Sequence, residues 1–253
     1  MIALPIFFAG AVLGSFATAL AHRIPRRENW VSDRSRCPSC GETVGAIDNI
    51  PIVSYLLLRG RCRSCGERIS ARYPLAEIGL GALWAGTYLV LGTDDAAQLA
   101  LGLVLCFLLV VITLTDLELR VIPNVVVGAG ALVAVAVLAA TDPSRLANHA
   151  LAAAIAGGVL FLVVLAYPRG MGMGDVKLVA MMGLYLGRAI APALLIGFAA
   201  GALVGAAMIA KRGAQARKEA IPFGPFLALG GIVGLWWGDS IVEWYLDEFM
   251  AGS

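Results

Sequence analysis

Charge is what this sequence has least of. Of its 253 residues only 14% are Asp, Glu, Lys or Arg, against 60% hydrophobic residues and a mean hydropathy of +0.85. A water-soluble domain has nowhere to hide so much apolar surface, so the composition excludes one. Histidine is scarce as well: His22 and His149 have no partner at metal-ligand spacing, which leaves no histidine-based metal site. No internal repeat is visible, and repeated, broken helices are what a coupled transporter is commonly built from. The opening apolar run lacks a basic stretch before it and is followed by an arginine-rich loop. Despite a cleavage-like Ala19-Leu20-Ala21, it reads as a retained span and not as a signal peptide.

What is present instead is a series of charge-free runs. Met1–Ala21, Ile78–Thr93, Ala96–Thr115, Val121–Thr141, Ala189–Ala210 and Ala220–Gly238 each approach or exceed a membrane-crossing length. Leu146–Pro168 is another, interrupted only by His149, and the stretch beginning at Asp175 leaves just Leu178–Gly187 free of charge. The expected fold is therefore an all-α polytopic membrane protein of about eight transmembrane helices, with 30 glycines suited to close helix packing. The domains divide as a first helix over 1–21, a loop domain over 22–72, the remaining helices over 73–238, and an external tail over 239–253.

The loops fall alternately on two sides. Segments 22–72, 116–120, 168–177 and 211–219 carry ten, one, two and four Lys/Arg, seventeen of the nineteen, while Arg145 and Arg188 face the other way. The positive-inside rule puts the basic side in the cytoplasm and the N-terminus outside. Trp236 and Trp237 would mark the outer interface. The net charge of +2 names no partner, and nothing points to nucleic acid. The basic loop suits anionic lipid headgroups.

Two aspartates then arrive at one membrane level. Asp116 closes the twenty-residue run Ala96–Thr115, and Asp175 opens the sixth span, both on the basic side. Close carboxylates on separate helices can share a proton, so one can take a proton from water while the other polarises a scissile carbonyl. In "GMGMGD", Gly170, Gly172 and Gly174 would leave room for an extended substrate strand, and Lys177 would tune the pair or bind a substrate carbonyl or carboxylate. The plainer alternative is a helix-end cap, and Glu118 with Arg120 reads first as an ordinary charged turn. Carboxylates at membrane depth also serve ion relays, which keeps a transporter open as a rival.

Four of the five cysteines form "CPSCG" and "CRSCG": Cys37, Cys40, Cys62 and Cys65, the pairs separated by twenty-one residues. Paired knuckles of this spacing make a closed four-thiolate zinc site, structural and not catalytic, with a redox role as the rival. A zinc-dependent scaffold without catalysis also remains open. Cys106, alone in the third span, reads as a packing residue.

Taken together these residues resemble the type IV prepilin peptidase family of membrane aspartic proteases. The likeness runs in order through "GSFATALAHRIPR", "CPSCGETVGAIDNIPIVSYLLLRGRCRSCGERISARYPLAE", "TDLELRVIPN" and "GMGMGDVKL". Thr18 departs from it, standing where many members have Asn. The resemblance implies cleavage of a basic leader from type IV prepilins or type II secretion pseudopilins at the cytoplasmic face of the bacterial inner membrane. Asp116 and Asp175 are then the catalytic pair, the latter in a GxGD motif. It further implies methylation of the new N-terminal residue with S-adenosylmethionine. "DNIP" and "RYPLAE", the latter ending in Glu77, are weak candidates for that second activity, with an ordinary helix-end charge as the plainer role of Glu77.

Overall fold

The computed structural model describes residues 2–30, 35–168, 171–213 and 221–249. Gly170, together with Arg34, Arg169, Arg217 and Lys218 of the basic loops, lies outside the described residues. Among the described residues the chain is helical, with isolated bridges and no sheet. The helices are α1 (Ala3–Arg26), α2 (Val53–Leu57), α3 (Arg72–Leu91), α4 (Ala96–Leu119), α5 (Asn124–Thr141), α6 (Pro143–Ala166), α7 (Met173–Leu186), α8 (Ile190–Arg212) and α9 (Gly224–Phe249). The eight expected spans correspond to all of these except α2. Seven stretches are long and apolar enough to cross a membrane, because Met173–Arg212 runs through a tight turn at Gly187–Ala189 and counts once. The chain divides into two compact units, Met1–Asp94 and Asp95–Ser253, with the boundary after α3 and not after the cysteine loop.

In the first unit α1 and α3 run antiparallel in backbone contact. A Cβ added to Gly10 would lie 2.9 Å from Gly81 Cα, and one added to Gly14 would lie 2.6 Å from Glu77 Cα. Between these helices the loop folds into two matching knuckles. In each, the amide of the first cysteine donates to the fifth residue on (Cys37 to Glu42 at 2.9 Å, Cys62 to Glu67 at 2.8 Å). The glycine after the second cysteine, Gly41 or Gly66, takes φ +73° in both. That is a left-handed turn conformation which a side chain would oppose.

The connection between the knuckles carries a strained point. Ile52 has φ 63° and ψ −52°, and the amide of Val53 donates back to Pro51 O at 2.5 Å. This is a γ-turn of the strained hand, centred on a β-branched residue that tolerates it poorly. Such a conformation costs about 1–3 kcal/mol and persists only when its surroundings hold it. Here the holder is Glu77, whose Oε2 accepts the Ile52 N–H at 2.7 Å and which is also hydrogen-bonded by Ser15. Glu77 is buried, so it is not the helix-end charge the sequence suggested as its plainer role. Asp48 of "DNIP" instead pairs with Arg63 through two contacts of 2.8 and 2.6 Å.

The second unit is built around α7, which packs against α4, α5, α6, α8 and α9. Nine of its fourteen residues are buried, among them Leu178, Val179, Met181 and Met182. At 14 residues it rises about 21 Å, short of a hydrocarbon core of about 30 Å. A helix enclosed by protein need not match the bilayer by itself, which is how so short an apolar run can serve as the core. The outer helices turn large aliphatic side chains outward, including Leu132, Leu162, Leu165, Leu195 and Leu203, as a lipid-facing surface requires.

Small residues let the flanking helices close on one another. Gly230, Gly234 and Gly238 form a ridge at four-residue spacing on α9. A Cβ on Gly234 would meet Ala193 Cβ at 2.7 Å, and one on Gly238 would meet Ala189 Cβ at 2.5 Å. This small-residue seam substitutes for a hydrophobic effect that is absent between helices in lipid. Helix caps fix the remaining register: Asp95 accepts from Gln98 N at 2.9 Å, and Asp142 accepts from Ser144 N and Arg145 N, each at 3.1 Å. At that same end Arg145 pairs with Asp95 at 2.6 Å, and Arg188 pairs with Asp239 and Glu243 at 2.7 and 2.6 Å. The acidic residues after Trp237 are thus part of α9, which continues to Phe249.

Candidate active site and metal centre

Opposite Arg145 and Arg188, the other end of the second unit gathers the last turn of α4 and the first turns of α5, α7 and α9. Asp116 comes from the first of these and Asp175 from the third. Both are buried, 6% and 8% exposed, in a chain where few charged side chains are. The two carboxylates lie close enough for a direct electrostatic interaction.

Each is anchored through one oxygen by a backbone amide. Gly172 N donates to Asp175 Oδ2 at 3.0 Å, and Gly224 N donates to Asp116 Oδ2 at 2.8 Å. A charge-assisted bond of this kind fixes a side chain more firmly than a neutral one. It also leaves the second oxygen of each carboxylate outside that bond.

The glycines explain the approach. A Cβ on Gly224 would meet Asp116 Oδ2 at 2.8 Å and its Cβ and Cγ at 3.2 Å, so α9 reaches α4 here only without a side chain. A Cβ on Gly174 would lie 3.1 Å from Ile122 Cβ, and one on Gly172 would lie 3.4 Å from Asp175 Oδ2. Lys177 Nζ donates to Asn124 Oδ1 at 2.9 Å, joining the starts of α7 and α5. Thr115 is fully buried and returns its hydroxyl to Val111 O and Ile112 O, closing the turn just before Asp116. Glu118 and Arg120 are exposed beyond it, Arg120 as the left-handed cap of α4 with φ 55°.

Sequence reasoning missed Gly224 and Asn124. Gly224 sits in "IPFGPF", which counts as charge-free span; only the Gly-Pro pair signals a break there. Asn124 carried no signal beyond its place after Pro123.

In the first unit the thiolates of Cys37, Cys40, Cys62 and Cys65 lie within 4.8 Å of one another. Cys37 Sγ and Cys65 Sγ are 3.8 Å apart. A tetrahedral ion bound at about 2.3 Å by four sulfurs needs sulfur–sulfur edges of about 3.8 Å, so the donor set fits zinc. The cluster also calls for a cation electrostatically. The backbone amides of Cys40 and Ser39 pull the Cys37 thiol down to about 6. At Cys65 the amide of Glu67 favours the thiolate, but burial and the three neighbouring cysteines outweigh it and push the thiol up to about 12. Four thiolates in so small a space need a positive centre to coexist. Cys106 is fully buried within α4, away from this set in sequence.

Comparison with known proteins follows this division. Residues 8–91 match the Bacterial Peptidase A24 N-terminal domain, and residues 103–209 match the Type IV leader peptidase family. The chain is 36% identical over 245 residues to the prepilin leader peptidase/N-methyltransferase of Bacillus subtilis, covering 95% of this chain and 96% of that one. It is 33% identical over 285 residues to the protein of that name from Aeromonas hydrophila, covering 97% and 94%. With the one from Pseudomonas aeruginosa the figures are 32% over 277 residues, covering 94% and 91%. No solved structure matches. With likeness spanning nearly the full length of each relative, and with both Asp116 and Asp175 inside the second matched segment, the chain belongs to the type IV leader peptidase family.

Proposed function

We propose that the protein is a multi-pass enzyme of the bacterial inner membrane that removes the basic leader from prepilins or pseudopilins and methylates the N-terminus so exposed. The observation that carries the peptidase reading is the convergence of Asp116 and Asp175, buried together and each steadied by one backbone amide. In this reading one aspartate takes a proton from a water molecule as the oxygen attacks the scissile carbonyl. The other, protonated, gives its proton to the carbonyl oxygen. Collapse of the tetrahedral intermediate returns a proton to the leaving amine and frees leader and mature chain. Gly172 and Gly174 keep the approach open, and Lys177, held by Asn124, fixes the starts of α5 and α7 beneath it.

The cytoplasmic assignment of this end is supported by the seventeen basic residues on its side. A prepilin, with a basic leader ahead of an apolar helix, presents its cleavage point at that same surface. Zinc held by Cys37, Cys40, Cys62 and Cys65 staples the 22–72 domain and takes no part in hydrolysis. S-adenosylmethionine supplies the methyl group.

Co-expression with a prepilin, followed by mass spectrometry of its N-terminus, tests both activities at once. Asp116→Asn and Asp175→Asn should each abolish cleavage while the protein still folds in the membrane. Full cleavage by both variants overturns the assignment.

A further inference from the structure

The cysteine domain turns an unusual surface outward. Ile47, Leu56 and Leu57 are 73%, 68% and 75% exposed, and Ile50 and Val53 are exposed beside them. Five large aliphatic side chains within eleven residues make a patch that a soluble domain would bury. Arg59 and Arg61 follow at once and are exposed too, with Arg63 and Arg68 a few residues on.

The position of the patch is fixed by the strained turn. The Ile52 amide is bonded to Glu77, the sixth residue of α3, so Ile52 lies alongside the first two turns of that helix and not beyond its end. Those same turns present Tyr73, Leu75 and Ile78 outward, the beginning of the helix's lipid-facing stripe. A segment at the depth where a membrane helix already faces lipid, and itself aliphatic on its outer side, meets the same solvent.

We propose that residues 47–58 dip into the bilayer interface as a second membrane contact of the cysteine domain, with Ile47, Ile50, Val53, Leu56 and Leu57 among the upper acyl chains and Arg59 and Arg61 at anionic headgroups. Aliphatic side chains below and arginines at the rim are the arrangement of an interfacial segment. The γ-turn at Ile52 bends the chain back at that depth, and the buried Glu77 holds it there. The patch continues the exposed surface of α3, which favours lipid over a protein partner as its occupant. The inference depends on the membrane-spanning character of α3 and not on the peptidase reading.

A benzophenone amino acid placed at Leu57, in the full-length protein in nanodiscs of phosphatidylcholine and phosphatidylglycerol, tests this directly. After irradiation, intact mass spectrometry should find phospholipid adducts several-fold above those from the same probe at Glu42, an exposed position in the first knuckle. Raising the phosphatidylglycerol fraction should favour adducts of that lipid, and Arg59→Gln with Arg61→Gln should remove the preference. Equal adduct yields at 57 and 42 overturn the proposal. So does an adduct at 57 to added prepilin that displaces the lipid, which would make the patch a substrate-docking face. Leu56 and Leu57 are exposed, so changing either leaves the core intact, and a thermal melt of the labelled protein checks this.

Discussion

Replacing Gly224 by alanine isolates one atom's worth of geometry at the aspartate pair. At an open position the change would be neutral or stabilising by about 0.4–1 kcal/mol, because alanine restricts the unfolded chain. Gly224 is the first residue of α9, and its φ is not in the left-handed region, so the backbone accepts alanine. Any loss therefore comes from the new methyl group. That group would stand 2.8 Å from Asp116 Oδ2, where ordinary contact begins at 3.4 Å, so the carboxylate or the helix must move by about 0.6 Å. Neither moves freely: the preceding Phe223 is in tilted ring contact with Phe198 and Phe226, centroids at 5.3 and 6.1 Å, and Asp116 lies on a helix whose core face is fully buried. Overpacking of this kind costs about 1–3 kcal/mol. Misplacing a reacting group by about 1 Å can cost about 100-fold in rate, so a shift of about 0.6 Å should lower kcat by about 10-fold or more.

The assay is cleavage of a prepilin in proteoliposomes, with kcat and KM measured separately. kcat should fall while KM changes little, since no substrate-facing side chain is altered. Gly205→Ala, on α8 with open space around it, is the control and should keep wild-type kinetics. Stability gives a second reading: Asp116→Ala should relieve the melting-temperature loss caused by Gly224→Ala, because it removes the group being struck. Wild-type kcat in Gly224→Ala, with Asp116→Asn inactive, would refute the positioning argument and leave the peptidase assignment standing. Additive melting-temperature losses in the double variant would refute the proposed contact.

Three further outcomes follow from the same structure. Cys37→Ser should release bound metal and make the 22–72 domain protease-sensitive without stopping leader cleavage; purified wild-type protein free of zinc, when isolated without chelator, would refute the four-thiolate centre. Glu77→Ala strands the Ile52 amide and frees the γ-turn, a loss of about 1–3 kcal/mol that should appear as fast hydrogen exchange at residues 50–57, and unchanged protection there would refute the clamp. Gly234→Leu forces a large side chain where a Cβ alone would meet Ala193 Cβ at 2.7 Å, so α8 and α9 should separate and the protein should melt at lower temperature. A melting temperature equal to wild type would refute the packed seam.

Whatever depends on residues close together in the chain, or on bulk composition, could be read before any coordinates. Charge-free runs of membrane length gave the helices and their order, since a continuous apolar run of about 20 residues crosses hydrocarbon with its backbone satisfied as a helix, where a barrel strand needs about ten. The two CxxC pairs announced the four-thiolate cluster through local knuckle geometry, and Asp116 and Asp175 stood out because charge beside hydrocarbon is costly. What faces what is a property of the packed helices. That α7 is the enclosed core explains how fourteen residues suffice, and no periodicity reveals it, because beyond Lys177 the helix is apolar on every side. Gly224 reaches Asp116 across 108 positions of chain through a backbone amide, a group every residue but proline possesses and no sequence pattern marks. Glu77 looked like a helix-end charge until the strained turn at Ile52 was seen to rest on it, for burial belongs to the packed surface around a residue and not to the residue itself.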